Sequence, residues 1–155
     1  NNYLIKTNMT KDKVEKILED TFNKMPLITG VNNHMGSKAT EDKMLMKTVL
    51  KKIRQKGLFF VDSMTAPNHS VCSAIADELK MPFAKRDVFL DNINTREEIE
   101  KQLIELVTKA KRKGYAIAIG HDRPLTMQIL KEVIPTLQQQ GFEIVRVKDL
   151  LRNKR

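Results

Sequence analysis

Apolar positions along the chain alternate between two spacings. Over 11–24 the residues Val14, Ile17, Leu18 and Phe22 recur at helical intervals; Met44, Leu45, Val49, Leu50 and Ile53 do so over 40–56, and Ile99, Leu103, Leu106, Val107 and Ala110 over 95–113. Each set lines one face of a helix and leaves the opposite face polar. Between these helices run short apolar stretches at 27–32, 58–62, 83–90, 115–119 and 142–146. Their brevity predicts strands, and the apolar runs at 58–62, 115–119 and 142–146 suit burial on both faces. Two further helices are predicted over 70–80 and 124–140, and a short helical tail ends the chain.

The junctions repeat. "QKGLFFVDS" (55–63), "RKGYAIAIGH" (112–121) and "QQGFEIVR" (139–146) each place polar residues, then Gly57, Gly114 or Gly141, then an apolar run. A glycine just past a helix takes the left-handed conformation that closes it, so each phrase marks a helix passing into a strand. Helix starts are marked too. Thr10 is placed to cap the first helix, Thr95 with Glu98 forms a capping box, and Pro124 suits a first helical turn. Alternating strands and helices with short connections predict an α/β fold with a parallel sheet, either doubly wound or an arc of a β/α barrel. At 155 residues the chain reads as one domain, 1–155.

Composition narrows the function. No G-x-G-x-x-G or P-loop follows any predicted strand, which argues against a dinucleotide or nucleoside triphosphate ligand. No apolar run is long enough for a transmembrane segment. Cys72 is the single cysteine, which rules out an internal disulfide and reads as a small core residue. The net charge of +9 would suit an anionic partner, but lysines and arginines are spread over nearly every helix and crowd at helix C-termini, where the dipole favours them. With no tryptophan and 5% aromatic residues, a specific nucleic-acid site is not expected.

Parallel β/α folds gather ligands at the carboxyl ends of their strands. Those ends read Asn32-Asn33-His34, Asp62-Ser63, Asp91-Asn92 and Gly120-His121-Asp122. Every predicted strand but the last empties into groups able to bind metal or move protons. His34 and His121 occupy equivalent strand ends and are expected to share one rim. Asp62 is placed either to bind a metal or accept a proton, or simply to leave its strand through a turn. Asp87 and Asp91 flank "VFL" and point to one side while Val88 and Leu90 point to the other. His69, behind a capping Asn68, reads as an exposed first-turn residue, and Met35, Met44 and Met46 as apolar filling rather than metal ligands.

The strings "GVNNHMGSKATED" (30–42), "FFVDSMTAPNHS" (59–70), "RDVFLDN" (86–92) and "AIAIGH" (116–121) resemble, in order and spacing, the divergent polysaccharide deacetylase family over nearly the whole chain. The resemblance implies the C-terminal part of a distorted β/α barrel. It also implies that a strand ending in paired aspartates belongs before Asn1, so that contact with a missing N-terminal half or another chain is expected. The implied activity is metal-dependent hydrolysis of an acetylated polysaccharide or glycan. A divalent metal, zinc, would then be held by His34 and His121, and catalysis would fall to His121 and Asp62. Asn33, Ser63 and Asp91 would contact substrate. Family resemblance also implies an extracytoplasmic or secreted setting. The alternative is a non-catalytic carbohydrate-binding or cell-envelope scaffold that keeps the fold. Asp122 stands where Gly-His-Pro is common in the family, which shifts the cap of the following helix.

Overall fold

A computed structural model of the protein describes residues 3–152. The chain forms two compact units, Asn1–Lys85 and Arg86–Arg155. In the first, α1 (Lys11–Lys24), α2 (Ser37–Glu41), α3 (Lys43–Gln55) and α4 (Cys72–Glu78) surround a three-stranded parallel sheet. Its strands β1 (Gly30–Asn32), β2 (Phe59–Asp62) and β3 (Phe83–Lys85) lie in the order β1-β2-β3. The second unit holds a parallel pair, β4 (Val88–Phe89) and β5 (Ala118–Ile119), with α5 (Arg96–Lys113), α6 (Pro124–Gln139) and α7 (Val147–Arg152). Every strand pairing is parallel, as the alternating pattern predicts.

Each unit buries the helix faces read from the periodicity. The first core joins Val14, Leu18 and Phe22 of α1 with Leu50 and Ile53 of α3 and Ile75 of α4; the second joins Val88 and Leu90 with Ile99, Leu103 and Ile129. Cys72 belongs to the first core, as expected of a small apolar residue, and burial pushes its thiol up to about 11. Met44 departs from the pattern. It is exposed, and Met46 takes the buried place. The caps form as expected at Thr10 and Thr95, whose hydroxyls accept from the Lys13 and Glu98 backbone N–H groups, and Pro124 begins α6. Gly57, Gly114 and Gly141 all adopt positive φ.

Several boundaries differ from the sequence reading. The helix expected over 40–56 is divided at Asp42, whose backbone is extended and whose Oδ1 accepts from the Leu45 N–H at 3.0 Å. A side chain that caps the next helix ends the previous one. The strand expected over 83–90 is shared between two sheets: Arg86 and Asp87 interrupt it, β3 pairs with β2, and β4 pairs with β5. Helix α4 starts at Cys72, so Asn68 does not cap it, and His69 lies in an exposed turn closed by its own N–H to the Ala66 carbonyl. No strand forms over 142–146. Strand propensity measures fit to a pleated, half-buried surface, and here Ile144 and Val145 stay about half exposed beside no ladder partner among the described residues.

Candidate functional site

A two-residue ladder is too short to fix its own register, and the aspartates on either side of β4 supply what it lacks. Asp87 Oδ2 accepts from the Ile117 N–H just before β5, and Asp91 Oδ2 accepts from the His121 N–H just after it, each at 2.9 Å. The side chains of one strand thereby clamp the backbone of its neighbour at both ends. Lys113 pairs with Asp87 at the outer end.

Asp91 is 0% exposed. Its Oδ2 also accepts from the Thr126 hydroxyl at 2.8 Å, and its Oδ1 lies 2.9 Å from His121 Nδ1. Burial alone would raise the pKa of such a carboxyl, but the Thr126 hydroxyl and the His121 backbone and ring outweigh it and hold the pKa below the ordinary aspartate value. An ionised Asp91 accepts, so Nδ1 of His121 carries the proton that it donates. The imidazole is thus fixed in one tautomer, with Nε2 as the nitrogen not used in this pair. The ring also lies against Phe89, at 5.3 Å between centroids, and the Arg86 guanidinium sits 4.8 Å above the other aromatic ring. Arg123 Nη1 donates to the Asp91 carbonyl at 2.7 Å. The His121 side chain keeps 35% of its surface in solvent, so the oriented ring is partly exposed.

The first unit ties two strand ends together. Asn33 Oδ1 accepts from the Ser63 N–H at 2.8 Å, while Asn33 Nδ2 donates to the Met35 carbonyl at 2.9 Å. Asn32 Nδ2 donates to Ser63 Oγ at 3.2 Å, and the Ser63 hydroxyl donates to the Asn33 carbonyl. Asp62 is fully buried; its Oδ1 accepts from the Met64 N–H at 2.8 Å and its Oδ2 from the Ser70 hydroxyl at 2.6 Å. Both carboxylate oxygens therefore hold the loop after β2. His34 is exposed on the loop after β1, between Asn33 and Met35.

Of the residues expected at the site, the structure brings Asn33 and Ser63 into direct contact in the first unit and Asp91 and His121 in the second. Asp91 is fully buried and lies 2.9 Å from the His121 ring. Two partners escaped sequence reasoning, Arg123 and Thr126. Thr126 carried a signal: it is a hydroxyl on the apolar face of α6, one turn before buried Ile129. Among the described residues no three His, Cys, Asp or Glu side chains group to hold a metal. Both Asp62 oxygens hold the loop after β2, and His121 Nδ1 is turned to Asp91.

A family model for divergent polysaccharide deacetylases matches residues 1–151. The chain belongs to that family. Among its deacetylase-family relatives, an uncharacterized Escherichia coli protein, YibQ, is 33% identical over 147 residues, covering 95% of this chain and 46% of its own length. An uncharacterized protein of Haemophilus influenzae is 37% identical over 126 residues, covering 81% of this chain and 44% of its own length. The chain thus spans about half the length of the curated relatives it matches. The crystal structure of uncharacterized protein ATU2773 from Agrobacterium tumefaciens superposes with a TM-score of 0.81 at 25% identity, covering 93% of this chain and 62% of that one. The parallel β/α fold is therefore shared with a solved structure. No helix among the described residues is long and apolar enough to cross a membrane.

Proposed function

We propose that the full-length protein hydrolyses acetyl groups from a polysaccharide or glycan outside the cytoplasm, and that this chain supplies its general acid. The observation that carries the reading is the Asp91–His121 pair: a buried carboxylate with a lowered pKa, 2.9 Å from Nδ1 of a partly exposed imidazole. In such a hydrolysis water adds to the acyl carbon, and the tetrahedral oxyanion collapses to acetate as the sugar amine or alcohol leaves with a proton. Protonated His121 gives that proton from Nε2, and Asp91, through Nδ1, orients the ring. Asp91 is thus a positioning residue, and Asp62 holds the loop beside His34. The proton lost by water goes to a carboxylate. His34 is proposed as a zinc ligand.

Acetate release from a panel of acetylated oligosaccharides tests the proposal in the full-length protein. His121→Ala is expected to lower kcat by roughly 10²–10⁴-fold, the usual contribution of general acid catalysis. Asp91→Asn should fall in the same range, because an amide N–H turned toward Nδ1 would favour the wrong ring tautomer. His69→Ala should stay near wild type. No acetate from any substrate, with the fold intact, would favour the binding scaffold instead.

A further inference from the structure

Left-handed backbone is rare outside glycine, and the first unit uses it twice on methionine at the ends of adjacent strands. Met35 has φ 57° and Met64 has φ 53°. Such conformations persist only where surrounding bonds over-determine them. At both places a side chain grips the backbone. The Met64 N–H is held by Asp62, and the Met35 carbonyl receives Asn33 Nδ2 at 2.9 Å and the Thr65 hydroxyl at 3.2 Å. Asn33 goes further, since its Oδ1 accepts from the Ser63 N–H on the neighbouring strand's loop. Nδ2 also donates to the Thr65 hydroxyl at 3.4 Å, so both ends of one amide reach the loop after β2 while Nδ2 holds its own loop as well, and His34 lies between Asn33 and left-handed Met35.

We infer that Asn33 is a positioning residue for His34: its amide latches the loop after β1 to the loop after β2 and holds Met35 left-handed, so that the exposed imidazole is presented in one orientation. The inference rests on the reading of His34 as a site residue. A histidine on an untethered loop would sample many directions and lose the entropic advantage of a preset geometry. The latch is built from the asparagine's two unlike ends. An acceptor is needed for Ser63 and a donor for Met35, which aspartate, with no N–H, cannot supply together.

The test uses the full-length protein and three variants, Asn33→Ala, Asn33→Asp and His34→Ala, with amide exchange and histidine-ring signals read by NMR beside acetate release. In Asn33→Ala, exchange at the Ser63 N–H should speed up by about tenfold or more as its acceptor disappears, and the His34 ring signal should broaden. In Asn33→Asp, Ser63 should keep its protection while the His34 signal broadens, because only the donor end is lost. Should Asn33→Ala fail to fold, Asn33→Asp carries the same test. Unchanged ring signals in Asn33→Asp, or unchanged Ser63 exchange in Asn33→Ala, would overturn the latch. For activity, the Asn33→Asp/His34→Ala double variant should be no slower than His34→Ala alone; additive losses would also overturn it. If wild type releases no acetate while the NMR responses appear, the latch stands and the deacetylase reading falls.

Discussion

At the residue scale, Asp91 shows how one carboxylate can serve fold and chemistry together. It accepts from the His121 backbone, the His121 ring and the Thr126 hydroxyl, so its charge is spread over donors from two segments. Its folded pKa lies below the unfolded aspartate value of about 3.9. The group therefore adds stability that is fully present above about pH 4 and is lost as pH falls through the folded value. Urea midpoints measured from pH 7 to pH 2 should fall less steeply below pH 4 in Asp91→Asn than in wild type; parallel curves would refute the assignment. The sequence placed Asp91 and His121 at strand ends, but not in contact. That pairing depends on a register of Val88 against Ala118 and Phe89 against Ile119, which a separation of 30 positions conceals.

At the element scale, the sheet of the first unit depends on a close approach. Gly30 pairs in register with Phe59, and a Cβ built on Gly30 would lie 2.3 Å from the Phe59 ring. The ring covers the place that a side chain would take. Gly30→Ala is expected to destabilise the protein by about 1–3 kcal/mol, the usual range for overpacking, measured by chemical denaturation; a change under about 0.5 kcal/mol would show that the ring swings away freely. Helices were more legible than strands for a physical reason. A helix satisfies its backbone locally and shows its buried face at a fixed period, as α5 and α6 do. A strand exists only beside a partner, so Phe142–Arg146 reads as a strand in sequence and forms none, while 115–119 shrinks to Ala118–Ile119.

At the scale of the whole molecule, charge and length frame the function. The +9 net charge is partly balanced where it crowds: Lys52 and Lys56 both pair with Glu19, and Lys113 with Asp87. Such pairing fits a solvated surface better than a dedicated anion track. Because the chain spans about half of its curated relatives, zinc binding is a property to test on the full-length protein. His34→Ala should weaken zinc beyond the roughly 10–100-fold that loss of an outer-shell partner causes, measured by calorimetry against a competing chelator. His69, exposed in a turn, should be replaceable without effect. Equal losses from the two substitutions would remove His34 from the site.

Sequence alone determined the parallel β/α order, the buried helix faces, the glycine-closed junctions and the family, because each is written in short-range spacing or in contiguous motifs. Tertiary structure decided which polar strand-end groups meet: Asp91 with His121 and Thr126, and Asn33 with Ser63. Those contacts join residues about 30 positions apart through ladder register and buried hydrogen bonds, and no local pattern encodes either.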